Sequence, residues 1–381
     1  MHDSCILYGS HASYATAKTR SYLRKKGIPF VERLPAHPRF REHVRPTSGS
    51  HRIPQLELPD GSVIQDTVAI LDALELLHPE PSAYPPGPRQ QLVVRLFEVL
   101  IDGLLGKPAW HYRWNFMDQN YRFVGREFGR SFRPQGSDEE LDHYGRVIAD
   151  RMEGKREGMG VTEAVFPALE SIYSDVLDLL EVHFTTTPYL LGGRPSAADF
   201  ALMGPLFGHL ARDPHPATLM KLRAPRVYRW TEAMNTPEIQ SPEFPDVAPE
   251  FAPDDALPGQ TLELLRLCLH EAGDGLLQSA ELFNAWVIDK RTWPAGSVVS
   301  KHADEPSVGS FETTLRGVPM RAHAGLYPLW VLQRGLDWFA SLDEAGQAVG
   351  RELMIACGGK ALLEIRLDRR LARVENRISL G

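Results

Sequence analysis

The chain has 381 residues, enough for two or three domains with a core each. Hydrophobic residues at 43% and charged residues at 24% exclude collagen, coiled-coil rods and wholesale disorder. Lys plus Arg number 42 against 49 Asp plus Glu, and the resulting charge of -7 argues against nucleic acid as a partner. Residues 1–86 carry ten basic and nine acidic side chains, so the front of the chain is its less acidic part. Cys5, Cys268 and Cys357 lie far apart and form no CxxC, which disfavours a disulfide framework and cysteine-rich zinc sites and fits a reducing compartment. The opening Met-His-Asp-Ser-Cys-Ile-Leu has no basic region followed by a long apolar run, and no stretch reaches about eighteen uninterrupted apolar residues. The expectation is a soluble, cytoplasmic protein with no membrane partner.

In chain order, residues 5–9 read as a short buried strand, and 15–26 as a helix ending at Gly27. Residues 28–33 suit an edge strand that tolerates Pro29. A polar loop follows over 35–50. Residues 53–58, the turn Pro59-Asp60-Gly61-Ser62 and Val63-Ile64 read as a hairpin, after which Asp66 opens a helix over 67–77, stopped by His78-Pro79. Tyr84-Pro85-Pro86-Gly87-Pro88 is the first domain boundary. Residues 92–105, 161–184 and 197–210 then carry helical spacing, and the helical region runs to about 240. Six prolines between 237 and 258 prevent regular helix and mark a connector over 241–259. Beyond it, 261–269, 276–290, 328–342 and 346–355 read as helices, and 311–315 can pair with 318–322 around Arg316-Gly317. No internal repeat is present.

Three stretches carry chemistry. Around Leu7-Tyr8-Gly9-Ser10-His11-Ala12-Ser13 a strand passes through a hydroxyl-bearing loop into a helix. Free N–H groups and the dipole at a helix start stabilise an anion, and a serine hydroxyl adds a directed hydrogen bond to a thiolate. Ser13 equally suits a simple N-cap, and the two roles are compatible. In Arg52-Ile53-Pro54-Gln55 an ordinary proline bond is expected to be trans. In Ile64-Gln65-Asp66-Thr67, Asp66 either caps the helix or accepts a ligand ammonium while Thr67 holds a ligand carboxylate through its N–H and hydroxyl.

Together these stretches resemble the thioredoxin-like N-terminal domain of glutathione transferases, over residues 5 to about 86. The resemblance implies that Ser13 activates the thiol, with Ser10 as competitor. It implies a cis bond at Ile53-Pro54 presenting backbone to the cysteinyl unit, and Asp66-Thr67 binding the γ-glutamyl end. Tyr189-Leu190-Leu191-Gly192-Gly193-Arg194-Pro195-Ser196-Ala197-Ala198-Asp199 is similar to the family's helical-domain signature, with Ser196 and Asp199 capping a buried helix reciprocally. Anchored on Lys18-Thr19-Arg20, the tyrosine of tyrosine-type members falls at Gly9. The cysteine of cysteine-type members falls at Ser13, which makes this chain serine-type-like. Two departures are Asp66-Thr67 in place of Glu-Ser and the absence of Asn-Pro-x-Gly before Ile53-Pro54.

Residues 107–133 hold eight aromatic, six basic and two acidic side chains. They read as a packed helix-loop core or as the wall of an electrophile pocket, with Trp110, Tyr112 and Arg113 as candidates for the second substrate. Of fourteen histidines, His37, His43, His51, His302 and His323 sit in polar loops without HxH or HExxH spacing, so no metal is expected. Residues 322–330 and Arg334 read as core or as an extension of a ligand pocket.

The expected fold is an α/β thioredoxin-like domain (1–86), an all-α transferase domain (87–240), the connector (241–259) and an extra, mostly helical module (260–381). The expected function is a detoxifying glutathione transferase in which the thiolate attacks an apolar small-molecule electrophile, with glutathione as co-substrate and, by the resemblance, a homodimer. Alternatives are a non-catalytic binding or scaffolding protein of the same fold, and a glutathione-dependent etherase or dehalogenase.

Overall fold

The computed structural model describes residues 4–299 and 307–381; Met1 to Asp3 and His302 lie outside them. The four buried residues of β1 (Cys5–Tyr8) run through the middle of a four-stranded sheet of order β2-β1-β3-β4. The helix α1 (Tyr14–Lys25) carries the chain over to β2 (Phe30–Arg33), which lies parallel to β1 at the sheet edge, where Pro29 costs no ladder bond. A π-helical turn (Phe40–Val44) and α2 (Arg45–Ser48) replace the expected loop, because Phe40 and Val44 bury against Ile6 and Tyr8 beneath β1. The hairpin of β3 (Gln55–Glu57) and β4 (Val63–Gln65) then joins β1 antiparallel, with Leu56 opposite both Leu7 and Ile64. It feeds α3 (Thr67–Leu77).

The long α4 (Pro88–Trp114) is the central post of the molecule. Around it stand α5 (Met117–Arg130), α6 (Asp138–Glu153), α7 (Phe166–His183), α8 (Ala197–Pro205), α9 (Pro214–Arg223) and α10 (Pro225–Ala233). All nine residues of α8 are buried, and α8 packs between α1 and α4. That approach requires glycine at 204, since a Cβ there would come within 2.4 Å of Lys18 Cε and 2.6 Å of Tyr14 Cε1.

After a coil with one 3-10 turn at Pro253–Asp255, α11 (Gly259–Val287) is one 29-residue helix rather than the two expected. Its buried Leu264, Leu265, Cys268, Leu269, Gly273 and Leu276 keep the stripe continuous through the glycine-containing stretch. It lies along α4 and α7, and a Cβ on Gly103 of α4 would stand 2.7 Å from the Ala272 Cβ. The strands β5 (Ser307–Leu315) and β6 (Val318–Gly325) form the expected hairpin, with Arg316 and Gly317 in the left-handed region. His323, expected in a loop, is on β6, and His43 is in the π-helical turn. The chain continues through α12 (Leu326–Ser341), α13 (Glu344–Ala356) and α14 (Lys360–Leu363) to a second hairpin, β7 (Leu371–Val374) and β8 (Arg377–Leu380). Sequence patterning had no signal for this hairpin, whose turn places Glu375 and Asn376 at φ 48° and 61° without a glycine. The three cysteines are free and buried, and no helix of the described residues is long and apolar enough to cross a membrane.

Asp199 caps α8 as expected. Its carboxylate accepts from the Leu190 N–H at 3.0 Å, the Ser196 N–H at 2.8 Å and the Ser196 hydroxyl at 2.9 Å. Burial pushes its pKa from 3.8 up to about 6 despite those donors. The folded state therefore binds this proton more tightly than the unfolded chain. The resulting stabilisation is present below about pH 4 and lost as pH rises through about 6, a change on the order of 3 kcal/mol. Denaturant unfolding followed from pH 4 to 7 is expected to show this slope in the wild type and a flattened one in Asp199→Asn.

Candidate functional site

The first domain, α4, α8 and the C-terminal module enclose a cavity of about 690 Å³. One wall is the cis Ile53-Pro54 peptide that leads into β3. The expected trans bond is thus corrected in favour of the cis form that the family resemblance implied. The Pro54 carbonyl accepts the Asp66 N–H at 3.2 Å, which fixes the proline loop to the start of α3.

Asp66 is the N-cap of α3, accepting the Val68 N–H at 3.0 Å. Its backbone stands at φ 89°, ψ 141°, a conformation that a non-glycine residue holds only when its surroundings over-determine it. Here they do: the carboxylate also receives the Tyr327 hydroxyl at 3.1 and 3.0 Å and faces the Arg373 guanidinium at 3.5 Å. Burial first, and the adjacent Asp66 second, raise the Tyr327 phenol well above its ordinary value, so it stays a proton donor. Thr67 also lines the cavity, but its hydroxyl accepts from Thr19 at 3.4 Å and donates to the Ala15 carbonyl at 3.1 Å. What Thr67 offers a ligand is the N–H at the open end of α3.

At the start of α1, the Ser13 Oγ accepts the Thr16 N–H at 3.1 Å, so the N-cap reading holds. Accepting leaves the Ser13 hydroxyl proton free to donate. Its neighbours Tyr14 and Ala15 line the cavity, and Ser13 is half-buried beside them. Ser10 is 3% exposed and offers its carbonyl to the Ser13 N–H at 3.2 Å. Tyr14 donates to Asp102 on α4 at 2.8 Å, and Lys18 bonds both oxygens of Asp102 at 2.6 and 2.8 Å. Burial and Asp102 hold the Tyr14 phenol well above its usual pKa. Lys107, one turn beyond Asp102, faces the cavity with no hydrogen-bond or ion-pair partner among the described residues, and burial lowers its pKa.

Residues 7–82 match the family model of the glutathione S-transferase N-terminal domain, and residues 163–233 match that of the C-terminal domain. These two stretches are therefore glutathione S-transferase N-terminal and C-terminal domains. A solved glutathione S-transferase from Methylobacterium radiotolerans, in complex with glutathione sulfonate, is 22% identical, covering 65% of this chain and 96% of that chain at a TM-score of 0.37. One from Methylobacillus flagellatus with glutathione bound is also 22% identical, covering 65% and 100% at 0.37. The β-etherase LigF from a Sphingobium strain is 18% identical, covering 63% and 96% at 0.43. No curated protein matches.

The fold brings Ile53, Pro54, Asp66 and Thr67 to one cavity, and does not bring Trp110, Tyr112 and Arg113 there. Trp110 is half-buried against Trp114, and Tyr112 stacks on Phe116. Arg113 is 2% exposed and forms a bidentate pair with Asp213 at 2.6 and 2.8 Å. It also donates to the Ala12 and Gly208 carbonyls, clamping the loop before α1 onto the helical domain. The residues that patterning missed are Lys18, named only as an anchor, Asp102, Lys107, and above all Tyr327 and Arg373. The 322–330 stretch held the one signal, and Ala322, His323, Gly325, Tyr327 and Pro328 do line the pocket. Arg113→Met leaves the Asp213 charge buried and unpaired. It is expected to cost about 3 to 5 kcal/mol in unfolding free energy, read by chemical denaturation.

Proposed function

We propose that the chain is a glutathione-dependent transferase. The observation that carries this reading is the meeting, across one cavity, of the cis Ile53-Pro54 peptide, Asp66 with the open end of α3, and the start of α1. The glutathione ammonium pairs with Asp66, its cysteinyl backbone lies against Ile53-Pro54, and its sulfur sits at the start of α1. There the Ser13 hydroxyl donates to the sulfur while the helix end favours the anion. A free thiol titrates near 8.5, so lowering it by one or two units takes ~1.4 to 2.7 kcal/mol of preferential thiolate stabilisation.

The thiol proton leaves to solvent, the sulfur lone pair forms a bond to the electrophilic carbon, and the leaving group departs with the electron pair of the broken bond. No protein-bound covalent intermediate is needed, and much of the acceleration is positioning. Leu71, Met159 and Phe200 give the electrophile an apolar berth. Lys107 stands ready to stabilise negative charge that develops as sulfur adds. Ether cleavage and dehalogenation use the same thiolate on other leaving groups, and a panel of aryl halides, β-aryl ethers and haloalkanes ranks them.

One observation favours the rival reading, a binding or scaffolding protein. Tyr327 and Arg373 already engage Asp66, and the Thr67 hydroxyl is committed to Ala15. Titration calorimetry with glutathione separates the two, since a scaffold of this kind gives no binding heat. The resemblance also implies a homodimer, for which sedimentation is the measure.

For the enzyme, Ser13→Ala is expected to raise the thiol pKa of bound glutathione by about one unit and to lower kcat/KM about 10-fold. The pH dependence of thiolate absorbance and steady-state kinetics read both, and unchanged values remove Ser13 from the mechanism. Lys107→Met is expected to lower kcat by about 10-fold for carbonyl-bearing electrophiles while leaving the glutathione dissociation constant unchanged. Equal kcat would exclude the charge-stabilising role.

A further inference from the structure

The C-terminal module does more than flank the cavity; it inserts a cation beside the carboxylate that the N-terminal domain supplies. Arg373 of β7 reaches across the fold. Its Nη2 donates to the Gln65 side-chain oxygen at 2.7 Å, and its Nη1 to the Gln65 carbonyl at 3.4 Å. The Asn376 side chain ties the same hairpin to the Ser48 carbonyl at 2.7 Å, and the Trp330 ring lies 5.4 Å from the guanidinium. The planar fork is thereby held in one place with little freedom left to lose.

In that place Arg373 and Asp66 stand 3.5 Å apart, 12% and 16% exposed, both lining the cavity. The contact is long for a charge-assisted hydrogen bond, and the other Nη1 contact, at 3.4 Å, is long as well. Nη1 therefore keeps capacity for a better acceptor. A fixed negative and a fixed positive group at this separation complement the ammonium and carboxylate of an α-amino-acid head. The Thr67 hydroxyl, which would otherwise hold that carboxylate, already donates to Ala15 and leaves a place for another donor.

We propose that Arg373 is a ligand-binding residue that receives the α-carboxylate of the γ-glutamyl head, so that the C-terminal module completes the site and selects ligands with an intact zwitterionic end. The inference rests on the glutathione reading above, with Asp66 taking the ammonium, the Thr67 N–H sharing the carboxylate and Tyr327 orienting Asp66.

Titration calorimetry on the full chain tests it, with glutathione and with 4-aminobutanoyl-cysteinyl-glycine, which lacks only the α-carboxylate. The wild type is expected to bind glutathione at least about 10-fold more tightly than this analogue. Arg373→Gln is expected to weaken glutathione about 10-fold or more and to bind both peptides alike. Arg373→Lys, which keeps the charge and loses the fork, is expected to fall between. A melting curve confirms that each variant is folded, and the wild-type preference stands as a readout should Arg373→Gln fail to fold.

A wild type that binds both peptides equally overturns the proposal while leaving the glutathione reading intact. So does a folded Arg373→Gln with undiminished discrimination. Tighter binding of glutathione by Arg373→Gln also overturns it, and identifies the guanidinium as a group that shuts the ammonium out. No glutathione binding by the wild type removes the functional reading and this inference together.

Discussion

The site depends on one carboxylate. Asp66 holds a backbone conformation that L-residues avoid, and the groups that offset this strain come from opposite ends of the chain: the Val68 N–H at the start of α3, the Tyr327 hydroxyl and the Arg373 guanidinium. The same contacts that hold the first domain's binding loop also hold the third region to it. The module is also packed on α4 through α11, α12 and α13 and tied to the first domain by Asn376 and Ser48. Together these contacts make it a wall of the cavity.

Other charges around the cavity are paired in a way that fixes geometry. Asp102 collects the Tyr14 hydroxyl and the Lys18 ammonium, joining α1 to α4 across the domain boundary. Glu98, raised by burial, accepts the Tyr84 hydroxyl at 2.9 Å and lies 3.6 Å from Arg95. Such pairs contribute little net stability because each charge gives up hydration to be there. What they supply is a fixed arrangement of dipoles, in contrast to Lys107, which has no hydrogen-bond or ion-pair partner among the described residues.

Much of the N-terminal domain was legible because its signals are local. The Ser13 and Asp66 caps, the Asp60-Gly61 turn and the i, i+3, i+4 stripe of α3 each determine structure within a few residues. The 40–48 turn was missed because its two apolar anchors, Phe40 and Val44, sit in an otherwise polar stretch. The cis form of Pro54 came from family resemblance, since local sequence favours trans. The expectation of a pocket wall at Trp110, Tyr112 and Arg113 rests on composition, which detects an aromatic and basic cluster but not the direction it faces. Arg113 answers to Asp213, one hundred residues on, and Arg373 to Gln65 and Asp66, more than three hundred residues back. No pattern of short period carries either relation.

The contact between Gly103 and Ala272 reaches further than its size suggests. It sets the spacing of α4 and α11, and α11 in turn seats β5, β6 and α12, the elements that place Tyr327. A methyl group grafted at 103 would wedge the two rods apart and shift their load at the far rim of the cleft. A chimera that borrows its central helix from a shorter chain of the same fold inherits that geometric condition even where every residue lining the cavity is retained.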